Sequence, residues 1–146
     1  MGYSIFMTNV RFFIAEDNKY NAYRAFKASP LASAIRVPIH SIEDTLDYFG
    51  YTAENDLEDN IIGLEHTKDK LHDEDELFFV IAPYVRSGSF IEMLGEDHYM
   101  WRWVFNDGTL EKITLLYKES YESGLFLYGH SCSGKIPLEW ETVRYG

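Results

Sequence analysis

Cysteine is almost missing from this chain: Cys132 is the single one in 146 residues. No internal disulfide is therefore possible, and a reducing, cytoplasmic setting is expected. Long apolar runs are missing too, so no segment approaches the roughly 20 residues of a membrane span. The start does not read as a secretion signal, because Arg11 interrupts the apolar stretch and no small-residue cleavage site follows. Phe6 stands where N-myristoylation needs Ser or Thr. Basic residues are few, 13 Lys and Arg against 24 Asp and Glu, for a net charge of −11. No basic patch stands out, which argues against direct nucleic-acid binding and against anionic membranes. With four prolines, no repeat and no low-complexity linker, the chain reads as a single domain over 1–146.

What is abundant is acid in one place and aromatic rings throughout. Between Ser41 and Glu76 lie thirteen acids and only Lys68 and Lys70, a local charge of −11, while the other 110 residues hold 11 acids and 11 bases. Part of that block has a bland explanation. Acids at the start of a helix suit its dipole, and acids on the wet face of an amphipathic helix are ordinary. That account covers Asp73, Glu74, Asp75 and Glu76 at a helix start and leaves over the group Glu54, Asp56, Glu58 and Asp59 and its position relative to them. Together they are the candidate partner-binding residues, since like charges held together repel and attract a basic surface. A calcium loop starting at Asp56 fails, because Ile61 and Thr67 occupy the places that need Gly and Glu.

The 24 Phe, Tyr and Trp residues and an apolar share of 46% supply a core. Period-two patterning predicts a strand over 3–15, bulged near Asn9, with Val10, Phe12 and Ile14 on one face. A helix over about 17–28 follows, with Tyr23 and Phe26 inward, ended by Ser29-Pro30. Residues 31–40 are ambiguous. Ser41 caps a helix that runs to Gly50, residues 51–59 read as an acidic loop, and 60–66 as a short strand. Another helix begins at Asp73, with Leu77, Val80, Ile81 and Tyr84 as its apolar stripe, widened by Phe78, Phe79 and Ala82. A meander then predicts strands near 89–94, 99–105, 109–117, 124–130 and 136–143, with Asp107-Gly108 as a hairpin turn. The expected fold is α+β: a mainly antiparallel sheet with about three helices on one face.

No motif names a reaction. Gly129–Lys135 fits G-x-x-x-x-G-K, but Ile136 follows where a phosphate loop needs Ser or Thr. Ser133 breaks a nucleophile elbow, and His130 and Cys132 lack an orienting third group. His66 and His72 match no metal-ligand spacing. No catalytic residue, cofactor or metal is assigned. In the run Tyr99–Phe105, the rings of Tyr99, Trp101, Trp103 and Phe105 share one strand face and read as core, with an exposed binding platform as the competing possibility. Glu92 and Arg102 pair across the hairpin if the turn has odd length.

Residues 45–113 carry the wording Ile81-Ala82-Pro83-Tyr84-Val85, Gly88-Ser89-Phe90-Ile91-Glu92-Met93, Gly95-Glu96-Asp97 and Trp101-Arg102-Trp103-Val104-Phe105. In this the chain resembles a group of small uncharacterised bacterial and phage or prophage proteins, departing from it at His98. The resemblance implies a setting in phage–host conflict and carries over no catalytic residue. The expected function is that of a non-enzymatic acidic binding protein that inhibits a host nucleic-acid-processing or defence protein by engaging its basic surface. The alternative is a ligand-binding or enzymatic domain with a pocket between the helices and the Trp101/Trp103 sheet face.

Overall fold

The computed structural model describes residues 5–67, 73–96, 98–116 and 139–145. Strand β1 (Ile5–Arg11) carries a bulge between Met7 and Asn9. The bulge shifts the parity of the strand, so that Ile5 and Met7 before it and Val10 and Phe12 after it lie toward the core. Helix α1 (Glu16–Lys27) buries Ala22 and Phe26, and the hydroxyl of Tyr23 donates to the Ile39 carbonyl at 2.9 Å. Pro30 begins a single helical turn, α2 (Pro30–Ser33), within the ambiguous segment.

Helix α3 (Ile42–Tyr48) starts as expected at Ser41, whose Oγ accepts from the Asp44 amide at 3.0 Å. Asp44 answers by accepting from the His40 amide at 3.0 Å. Gly50 follows the helix with φ 99°, a conformation that costs a side-chain-free residue little. The expected acidic loop over 51–59 is corrected here. Residues Tyr51–Asn55 form β2, which pairs antiparallel with β3 (Ile61–His66) as a separate two-stranded sheet. The alternation that signals it is Tyr51 and Ala53 inward against Thr52 and Glu54 outward.

Helix α4 (Glu74–Ile81) runs into a 3-10 turn at Ala82–Tyr84 that accommodates Pro83. Leu77, Phe78, Ile81 and Ala82 are buried, whereas Phe79 is 43% exposed and does not widen the core stripe. Then come β4 (Ser89–Gly95), β5 (Met100–Asn106) and β6 (Thr109–Leu116), and after 22 intervening residues β7 (Glu139–Tyr145). The main sheet is antiparallel with strand order β1-β4-β5-β6-β7. Asp107 and Gly108, with φ 51° and 79°, make the tight turn that the Asp-Gly pair predicts. Strand β7 sits two to three residues later than the expected 136–143. The strand expected at 124–130, the Gly129–Lys135 segment, Cys132 and His72 lie outside the described residues.

The fold is α+β, with helices on one face of a mainly antiparallel sheet. Its core is aromatic. Phe78 meets Trp103 at 4.8 Å, Tyr51 at 5.5 Å and Phe105 at 5.8 Å, all edge to face, and Phe12 meets Phe105 at 5.7 Å. Trp101, Trp103 and Phe105 are buried as core, while Tyr99 at the strand's entrance is 43% exposed.

Candidate functional site

The turn between β2 and β3 is organised by one carboxylate. Asp56 accepts from the amides of Glu58 (3.0 Å) and Asn60 (2.9 Å) and from Asn60 Nδ2 (3.1 Å). Hydrogen bonds from the Asn60 side chain and amide hold its carboxyl below the usual range. The chain then turns through Asp59 at φ 67°. Asn60 Oδ1 accepts from the Glu16 amide at 2.8 Å, supplying the first turn of α1 with the cap that Ala15 cannot give. Thus the turn is built onto the start of α1.

Lys19, one turn further along α1, ties the second connection. Its ammonium forms ion pairs with Glu43 of α3 and with Asp59 Oδ2 at 2.9 Å, and it donates to the Asp59 carbonyl at 3.0 Å. Burial alone would lower the Lys19 pKa; hydrogen bonds and charge from Glu43 and Asp59 outweigh it and raise the value. Asn55 Nδ2 donates to both Glu43 (3.0 Å) and Asp59 (3.2 Å). Carboxylates from two separated segments therefore meet at one lysine, Glu43 of α3 and Asp59 of the turn, on a helix whose first turn carries Glu16 and Asp17. Leu57 projects from the turn with full exposure, 104%.

The second acidic group has different partners. Asp75 accepts from Trp103 Nε1 at 2.8 Å and pairs with Lys112 of β6 at 3.2 Å. The Lys112 ammonium lies 5.7 Å from the Trp103 ring and 5.9 Å from that of Trp101. Glu74 is 2% exposed, its carboxylate 3.4 Å from the Tyr51 hydroxyl, and so is withdrawn from any contact surface. Burial pushes the Tyr51 hydroxyl well above its ordinary pKa, and the negative Glu74 and Asp75 push the same way. Asp73 and Glu76 are exposed. Together Asp73–Glu76, Trp103 and Lys112 line a shallow recess of about 350 Å³.

The two predicted groups thus belong to two places, one fastened to α1 and α3, the other to the sheet. Of the predicted residues, Glu54, Glu58, Asp59, Asp73 and Glu76 present exposed side chains. Asp56 and Asp75 are half-buried and engaged in internal bonds. Sequence reasoning missed Lys19, Asn60 and Lys112. Their most distant partners, Asp59, Glu16 and Asp75, lie 40, 44 and 37 residues away in the chain, at spacings with no periodic signature. The expected Glu92–Arg102 pair is present at 3.1 Å, but on the sheet face opposite the helices. Beneath the helices the face is filled: Trp101 is 3% and Trp103 1% exposed.

Among the described residues no group of three His, Cys, Asp or Glu side chains is placed to hold a metal ion. No described helix is long and apolar enough to cross a membrane. Comparison with known protein families, with curated proteins and with solved structures yields no match.

Proposed function

We propose that the protein is a non-enzymatic binding protein whose acidic ridge engages a basic surface on another protein. The observation that carries this is the meeting of carboxylates from α3 and the β2–β3 turn at Lys19, with the turn fastened to the acidic first turn of α1 and its tip, Leu57, fully exposed. Like charges held together in a braced turn raise the energy of the isolated protein, and a cationic groove relieves that repulsion. Because the turn is already ordered, little entropy is lost when it docks. The resemblance to phage and prophage proteins supports a host nucleic-acid-processing or defence protein as the target, inhibited by occupation of its nucleic-acid groove.

The test is competition. The protein immobilised at about 0.05 M salt should retain a nucleic-acid-binding host protein, release it at about 0.5 M, and reduce that protein's own nucleic-acid binding. Reversing Asp17, Glu54 and Glu58 to Lys, none of which braces the turn through its side chain, should weaken capture at least about tenfold. Capture that ignores both salt and the triple reversal would refute the proposal.

A second reading, a small-ligand or enzymatic site, is supported by the recess over Trp103. It would be a rim site for a cationic group, because its indole N–H and Asp75 already bind each other and Lys112. Quenching of tryptophan fluorescence by small cationic amines, abolished by Asp73→Asn with Glu76→Gln, would support it; unchanged fluorescence would refute it.

A further inference from the structure

Between Asn18 and Ile42 the chain has no Asp or Glu but holds Lys19, Arg24, Lys27 and Arg36, in a protein of net charge −11. Lys19 is engaged by Glu43 and Asp59. The others are exposed, and none of them has a carboxylate partner among the described residues. Tyr20, Arg24 and Lys27 follow at i, i+4 and i+7, so they form one stripe along α1, turned away from the buried Ala22 and Phe26. Tyr20 is 66% exposed, and the Arg24 guanidinium lies 5.9 Å from its ring centre. Tyr23, beside the stripe, donates its hydroxyl to the Ile39 carbonyl and so holds the segment after α2 alongside. That segment adds the exposed Arg36 and Val37.

Part of this has a structural reason. Bases in the last turn of a helix suit its negative end, and Arg24 and Lys27 stand there in α1. The dipole does not account for Arg36, which lies outside any helix, nor for an exposed ring beside unpaired cations. Tyr and Arg are the residue types that anchor protein interfaces, and a guanidinium fork fits a carboxylate. Charge complementarity calls for an anion, and the dimensions say which. From Tyr20 to Lys27 the stripe runs only about 10 Å, with Glu16 and Asp17 in the first turn of the same helix. Nucleic acid would carry its phosphates beyond the stripe into the field of an acidic chain. A short acidic segment places its carboxylates on the stripe alone. We infer that the Tyr20–Arg24–Lys27 stripe is a second docking surface, opposite in sign to the ridge. It takes a short acidic segment of another protein, whose carboxylates meet Arg24 and Lys27 while an apolar residue between them packs on Tyr20.

Fluorescence anisotropy with the full chain and a labelled peptide tests this. The probe is a peptide of about eight residues, Glu and Asp around one central Phe. Its controls are the same peptide with Gln and Asn for the acids, and a single-stranded oligothymidylate of equal charge. At about 0.05 M salt the acidic peptide should bind, at least about tenfold more tightly than the neutral one, and should weaken at about 0.5 M. Arg24→Gln with Lys27→Gln, and separately Tyr20→Ala, should each lower its affinity at least about fivefold with an unchanged far-UV spectrum. Reversing Glu54 and Glu58 to Lys on the ridge should leave peptide binding no weaker while weakening capture of the basic partner, so the two proposals fail independently. An acidic peptide that does not bind, or that binds the Arg24→Gln, Lys27→Gln variant equally well, would overturn the inference. So would tighter binding of the oligonucleotide, which would assign the stripe to nucleic acid.

Discussion

Tyr51 and Lys19 sit at the two acidic groups in opposite roles, one a buried hydroxyl that must stay neutral, the other an ammonium that must stay charged. Both have a pKa raised by folding, Tyr51 through burial and then Glu74, Lys19 because Glu43 and Asp59 outweigh burial. A group with a raised folded pKa contributes stability that is complete below its unfolded value and is lost as pH rises through the folded one. The unfolded values are about 10.0 and 10.5, so the protein should hold its stability up to about pH 10 and lose it above. Tyr51→Phe should shift the alkaline unfolding midpoint upward, and cost about 1 kcal/mol at neutral pH because the hydroxyl no longer serves Glu74. Circular dichroism against pH measures the first, urea unfolding the second. An unshifted alkaline midpoint would show that Tyr51 is not the group that titrates.

At the scale of elements, α1 depends on a residue outside itself. Ala15 offers no side-chain cap, and Asn60 takes that part from 44 residues away. Asn60→Ala should destabilise the protein by about 1 kcal/mol, with faster amide exchange at Glu16 and through the Asp56–Asp59 turn. Exchange unchanged at Glu16 would show that water satisfies that amide. Some elements were legible from residues alone. Ser41 and Gly50 bracket α3, Asp107-Gly108 closes a hairpin, and the apolar parity of 5–14 demands a bulge. Strand β2 was not legible as such, because four acids and Asn55 between Glu54 and Asn60 mask the short Tyr51/Ala53 alternation. Pairing with β3 and burial of Tyr51 against Phe78 and His66 outweigh that composition.

For the molecule as a whole, Phe78 is the point where layers meet, touching Tyr51, Trp103 and Phe105 from one helical position. Phe78→Ala should cost about 3–5 kcal/mol, since the surrounding rings come from two separate strands, β2 and β5, and collapse poorly into the space. Calorimetry would register this as a large fall in melting temperature. A change of under about 1 kcal/mol would mean that the rings repack.

The acidic block is legible in composition, and so is its conflict with a merely solvated surface. Its shape is not. Local rules of capping, alternation and turn chemistry act over a few residues, and they are why the α+β order, most of the elements and the buried Trp stripe follow from the sequence. Charge has no such period. Whether Asp59 meets Lys19, whether Asp75 is held by Trp103 and Lys112, and whether Glu74 is buried depend on segments 23 to 40 residues apart being brought together by the core. Tertiary structure alone therefore decided that one acidic quarter of the chain becomes two sites, a braced ridge and a recess on the sheet.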